Sequence, residues 1–166
     1  MQKNLHPRSI VLQNLRKVFW LNLVLSTTVV IADIFFKRLA LTHLSEGAPD
    51  SFSLLSFFLH KNMGIIFNIP IPISLVVIAS FAVIGILIWW SIKNKSITEI
   101  TVGSTLIVVG AIGNLIDRIQ YGFTIDYIIL FGRSAINLAD ILIFIGIGLL
   151  FFTQKKHRLF DNQTKN

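Results

Sequence analysis

Four apolar runs, at residues 18–36, 73–90, 101–116 and 138–152, dominate this chain, and basic patches punctuate them. The first run, as a helix rising ~1.5 Å per residue, spans about 28 Å, close to one bilayer hydrocarbon core. The second ends in Trp89 and Trp90, residues suited to a membrane–water interface. The third and fourth are shorter and need flanking residues, or a tilted crossing, to complete a span. Of the 166 residues, 54% are hydrophobic and only 14% are charged. A soluble domain carries about 25% charge to cover its core. Lipid is therefore the expected solvent for much of this chain, with four crossings.

The net charge of +7 invites a nucleic-acid reading, but its distribution argues otherwise. Ten of the fifteen Lys and Arg lie in three patches: Lys3, Arg8, Arg16 and Lys17; Lys93 and Lys95; Lys155, Lys156, Arg158 and Lys165. Each patch flanks an apolar run, as orienting charges do. With both termini and the 93–95 loop in the cytoplasm, all three patches lie inside. The expected organisation is a single membrane domain over 1–166, with spans near 18–36, 73–90, 99–118 and 137–153. Loops 38–72 and 119–136 then face outward. The first run is longer than a signal-peptide core, contains Asp33 and lacks a small-x-small exit, so it reads as a retained anchor.

The outward loops are rich in aromatic and branched residues. Segments 52–59, 65–67 and 124–131 read as strands, with turns at 61–64 and at Gly132-Arg133. A small sheet on the membrane surface is expected. Cysteine is absent, which removes thiol nucleophiles and thiolate metal sites. The four histidines form no metal-binding pair, and no Gly-x-Ser-x-Gly elbow occurs, so neither a metal nor a cofactor is expected.

Ionisable groups in apolar runs are expensive and need a reason. Four of the eight acids, Asp33, Asp117, Asp126 and Asp140, fall in or at the ends of spans on the proposed outer side. Gly103, Gly110, Asn114 and Asp117 share a helical face, and Arg118 beside them can pair with a carboxylate. Asp33 and Lys37 are spaced to pair on the first helix. Asn137 precedes Asp140 as a helix N-cap precedes a first-turn acid. A structural clasp accounts for Asn114, Asp117 and Arg118 as well as a catalytic role does. Capping does not account for Asp126, brought to the same interface. Two aspartates at one site can divide acid and base roles, one protonated and one ionised. Acids gathered at one interface fit a transporter's relay poorly; a purely structural subunit is the other alternative.

In order along the chain these residues resemble the lipoprotein signal peptidase family, signal peptidase II. Gly110-Ala-Ile-Gly113-Asn114-Leu-Ile-Asp117-Arg118 resembles its Gly-x-x-Gly-Asn-x-x-Asp-Arg block, and Ile125-Asp126-Tyr127 its Val-Asp-Phe block. Asn137-Leu-Ala139-Asp140 resembles Asn-x-Ala-Asp, and Asn62-Met-Gly64-Ile-Ile-Phe67 resembles Asn-x-Gly-Ala-x-Phe. Asp33 and Lys37 match the acid and lysine of the family's first helix.

The resemblance implies an all-α bundle of four transmembrane helices with a small extracytoplasmic β-cradle, in the bacterial inner membrane. It implies an aspartic endopeptidase that removes signal peptides from prolipoproteins before a diacylglyceryl-modified cysteine. Asp126 and Asp140 would be its dyad. Asn62, Gly64, Asn114, Asp117, Arg118 and Asn137 would shape the site, with Asp33 and Lys37 in support. A monomer and inhibition by globomycin are also expected. Ile65, Asn68 and Ile136 depart from the family's usual residues near the expected substrate groove.

Overall fold

Each helix outruns the apolar stretch that marks it in the sequence. The computed structural model describes residues 7–47, 53–64, 72–94 and 98–163. Helix α1 runs Pro7–His43, α2 Ile73–Lys93, α3 Thr98–Tyr121 and α4 Leu138–Gln163. All four contain a stretch long and apolar enough to cross a membrane. The third and fourth runs, short as apolar segments, sit inside helices of 24 and 26 residues.

Burial is inverted relative to a water-soluble bundle. On α1 the enclosed stripe is Ser26, Val30, Asp33, Lys37 and Ala40, while Leu21, Val24, Leu25, Ile31 and Phe35 face outward. The alternating four- and three-residue spacing of that stripe marks one helical face. Lipid solvates the apolar outer face, and the few polar groups turn inward where they find partners.

Helix α3 is the hub, packed against α4, α1 and α2. Its contact with α4 depends on missing side chains. A Cβ on Gly110 would stand 2.6 Å from the Ala139 carbonyl oxygen, and one on Gly146 would stand 2.7 Å from that of Gly103. Such close approach is the usual device for helix association in lipid, where hydrophobic burial offers no driving force. The predicted face of α3 holds: Gly103, Gly110, Asn114 and Asp117 are all buried.

A three-stranded antiparallel sheet of order β1-β2-β3 caps one end, with β1 at Leu55–Asn62, β2 at Thr124–Leu130 and β3 at Ser134–Ile136. Strand β3 was not expected; Ile136 lies in it, opposite Ile128. The turn expected at 61–64 begins later than predicted. Lys61 and Asn62 still pair with Ile125 and Thr124, and the chain turns only when Asn62 Oδ1 accepts the Gly64 N–H at 3.0 Å. A register shift between Phe57 and His60 frees Leu59. The Leu59 backbone bonds Ser45 and Gly47 instead, tying the exit of α1 to the sheet. The β2–β3 turn puts Phe131 and Gly132 at φ 53° and 66°, the two left-handed positions of a tight hairpin. The expected strand at 65–67, with Ile65 and Asn68, lies outside the described residues.

Candidate active site

Asp126 projects from β2 at the centre of the sheet, and Asp140 from the first turn of α4. One residue, Asn137, touches both. Its side-chain amide donates to Asp126 Oδ1 at 2.7 Å, and its backbone N–H donates to Asp140 Oδ2 at 3.2 Å. In return Asn137 Oδ1 accepts the Asp140 N–H at 2.9 Å. This reciprocal pair is a capping box, the predicted N-cap with its acid folded back onto it.

Three asparagine amides converge on the two carboxylates, and each is oriented by a donor on its oxygen. Asn62 Oδ1 accepts the Gly64 N–H, so its Nδ2 faces Asp126 Oδ2 at 3.0 Å. Asn137 Oδ1 accepts the Asp140 N–H, which turns its Nδ2 toward Asp126. Asn114 Oδ1 accepts from Lys37 Nζ at 3.1 Å, and its Nδ2 reaches Asp140 Oδ1 at 2.7 Å. An amide has distinct donor and acceptor ends, so each committed oxygen fixes which end meets a carboxylate.

Behind the pair lies a second layer of charge. Lys37, 1% exposed, sits 2.7 Å from both Asp33 Oδ2 and Asp117 Oδ2. Asp33 Oδ1 accepts the Tyr127 hydroxyl at 3.0 Å and the Leu138 N–H at 2.9 Å. Asp117 Oδ2 also accepts the Ile125 N–H at 3.2 Å. The predicted Asp33–Lys37 pair therefore forms, and it joins α1 to β2, α3 and α4. A buried ammonium between two carboxylates is tolerable only in such a network.

Tyr127 was missed by sequence reasoning. It stands where the resembled block has phenylalanine, and its hydroxyl is what reaches Asp33. That single added oxygen was the available signal. Burial, followed by the Asp33 charge, pushes the Tyr127 hydroxyl well above the usual phenol range. Arg118 departs from expectation. It lies within electrostatic reach of Asp140, Asp126 and Asp117, yet among the described residues it forms no ion pair. Asp117 is already taken by Lys37.

Asp126 is fully enclosed by its two amide donors and the sheet. Asp140 remains partly exposed. Burial pushes the Asp126 carboxyl up to about 7, and the charge of Asp140 adds to the rise. The hydrogen bonds from Asn62 and Asn137 favour the ionised form and oppose that shift, but desolvation outweighs them.

The fold and this cluster define a multi-pass membrane protein with two carboxylates held together at one end of its bundle. Comparison with known proteins names the family. Residues 25–155 match the family described as signal peptidase (SPase) II. The chain is 34% identical to a lipoprotein signal peptidase of Buchnera aphidicola over 148 residues, covering 80% of this chain and 92% of that one. It is 35% identical to a lipoprotein signal peptidase of Aquifex aeolicus over 166 residues, covering 91% and 98%. A solved bacterial membrane enzyme, determined in meso at 2.3 Å, superposes with a TM-score of 0.72 at 25% identity, covering 81% and 87%. This chain belongs to the signal peptidase II family of aspartic peptidases.

Proposed function

We propose that this protein removes the signal peptide of diacylglyceryl-modified prolipoproteins, using Asp126 and Asp140 as its catalytic pair. Membership of the signal peptidase II family supplies the reaction class and the prolipoprotein substrate. One observation supports the residue assignment above the rest: three oriented asparagine amides present N–H groups to two carboxylates that share Asn137.

Charge balance supports a shared proton. Four carboxylates gather here with two cations, Lys37 and Arg118, so the cluster is acid-rich even before burial is considered. Asp126, raised to about 7, holds the proton, and Asp140 is the ionised partner. Asp140 takes a proton from water as the water oxygen attacks the scissile carbonyl carbon. Asp126 donates its proton to the carbonyl oxygen as the carbon becomes tetrahedral. Collapse breaks the C–N bond: the proton held on Asp140 passes to the departing amine, and one gem-diol hydroxyl returns its proton to Asp126 as the product carboxyl forms. Nitrogen leaves neutral, and the pair returns to one proton.

Placement at an interface suits a substrate whose acyl chains gain roughly 0.8 kcal/mol per buried methylene by staying in the bilayer. The basic patches support an orientation with both termini in the cytoplasm and the catalytic end at the outer face. In this reading the protein acts as a monomer and globomycin inhibits it. Incubation of the membrane-embedded protein with a diacylglyceryl-modified precursor tests the reading. Cleavage before the lipidated cysteine, blocked by globomycin, is expected; an intact lipidated precursor would refute it.

A further inference from the structure

Helices α1 and α2 both lean on α3, but among the described residues they make almost no contact with each other. The wedge between them holds two adjoining cavities of about 310 and 510 Å³, which share Phe19, Ser91 and Ile92. The outer one sits at the bundle end remote from the acid cluster, and the inner one runs along α3 as far as Val109. Along α3, Thr98 to Asp117 is about 28 Å at ~1.5 Å per residue. The proposed peptidase chemistry does not use this region.

The chemistry of the wedge is graded. Its inner part is lined by Phe19, Leu23, Leu87, Val108 and Val109, with Ser104 and Thr105 on the α3 floor. Its mouth carries Arg16, Ser91 and Thr98, with no acid among the described lining residues. Arg16 is exposed and forms no ion pair among the described residues. It also borders a neighbouring concavity shared with Gln13, Lys17 and Trp20, a cationic and aromatic face of α1. Ser104, 1% exposed, has a hydroxyl with no hydrogen-bond partner among the described residues. A deep hydroxyl lacking an acceptor is costly in a low-dielectric site.

We propose that this wedge is a binding site for one anionic phospholipid of the bilayer, separate from the catalytic site. The headgroup phosphate lies at Arg16 and Thr98, an ester carbonyl accepts from Ser104, and an acyl chain fills the apolar part between α1 and α2. Basic pockets between membrane helices recognise anionic headgroups in this manner. The occupant competing on shape is the precursor's own signal peptide. Its N-terminal region is positively charged, and Arg16 at the mouth, with Lys17 on the adjoining face of α1, would repel it. Charge thus selects lipid over peptide.

The test uses the full chain, purified in detergent and studied by native mass spectrometry with phosphatidylglycerol or phosphatidylcholine. Wild type should retain one phosphatidylglycerol about fivefold better than phosphatidylcholine, the increment of one basic side chain near anionic lipid. Arg16→Gln should abolish that preference, and Leu87→Trp, which fills the wedge, should reduce retention of both lipids. A photo-crosslinking residue at Val108, in membranes containing the precursor, should capture lipid. Equal retention of the two lipids, no effect of Arg16→Gln, or capture of the precursor would each overturn the proposal.

Discussion

The side-chain amide of Asn137 donates to Asp126 at 2.7 Å while its carbonyl oxygen caps the first turn of α4 at Asp140. A short polar residue thereby couples the sheet to the helix that carries the second acid. Asn137→Ser keeps a competent cap but cannot reach Asp126. Cleavage of a lipidated precursor should fall by about 100-fold, the scale of losing one oriented donor at a reacting centre. Thermal unfolding should also shift downward, because Asn114 Oδ1 and the Ile125 carbonyl lose the same donor. A serine variant cleaving within about threefold of wild type would show that the Asn137–Asp126 contact has no part in turnover.

Asp126 links activity to stability with a definite sign. Its folded value of about 7 lies above the ordinary 3.8, so the fold favours the neutral acid. That contribution is fully present below about pH 4 and is lost as pH rises through about 7. Asp126→Asn is permanently neutral and nearly isosteric. Its melting temperature relative to wild type should therefore increase between pH 5 and pH 8, while cleavage disappears. A difference that stays flat across that range, or runs the other way, would contradict the assignment of the proton to Asp126.

Much of this arrangement is legible in the chain because membrane folding leaves few places for polar groups. Asp33 and Lys37 stand out in an apolar run, and an i, i+4 pair there is nearly forced. The Gly110, Asn114, Asp117 face follows from helical spacing alone, and Asn137 before Asp140 announces a cap. What the pattern does not carry is connectivity across elements. No spacing rule places Lys37 between Asp33 and Asp117, or Tyr127 against Asp33, because those contacts join residues 80 and 94 positions apart. Strand β3 is only three residues long, too brief for alternation to register. The late turn after Asn62 depends on one side-chain hydrogen bond to Gly64.

The buried charge network predicts an asymmetric mutational response. Lys37→Met leaves Asp33 and Asp117 facing each other without a cation. Breaking one side of a buried ion pair costs about 3–5 kcal/mol. Folded protein in the membrane should drop sharply. Adding Asp33→Asn to Lys37→Met should recover part of the loss, because one unpaired charge is removed. A double variant less stable than Lys37→Met alone would show that Asp33 acts through Tyr127 and Leu138 rather than through Lys37.

Asp33 itself is expected to be structural. Its Oδ1 satisfies both the Tyr127 hydroxyl and the Leu138 N–H at the start of α4. Asp33→Ala orphans both donors, each at about 1–3 kcal/mol. Accumulated protein should fall more than the turnover of each surviving molecule. Normal accumulation with lost turnover, measured by quantitative blotting beside a cleavage assay, would move Asp33 into the chemistry.

The α3–α4 crossing gives a prediction about geometry at a distance. Gly110 lies one turn before Asn114 on α3, against the Ala139 carbonyl next to Asp140. A branched side chain there must push the two helices apart, since backbone cannot yield as a side chain can. Overpacking of this kind costs about 1–3 kcal/mol, and the displacement falls on the 2.7 Å contact between Asn114 and Asp140. Gly110→Val should therefore lower cleavage more than it lowers folded protein, with kcat affected before KM. Gly148→Ala is the matched control: nothing lies within 4 Å of its added Cβ. Replacing a mid-helix glycine there should be neutral or stabilising by about 0.5–1 kcal/mol. Equal activity in wild type and the Gly110→Val variant would mean that the helix spacing at Gly110 does not set the position of Asp140.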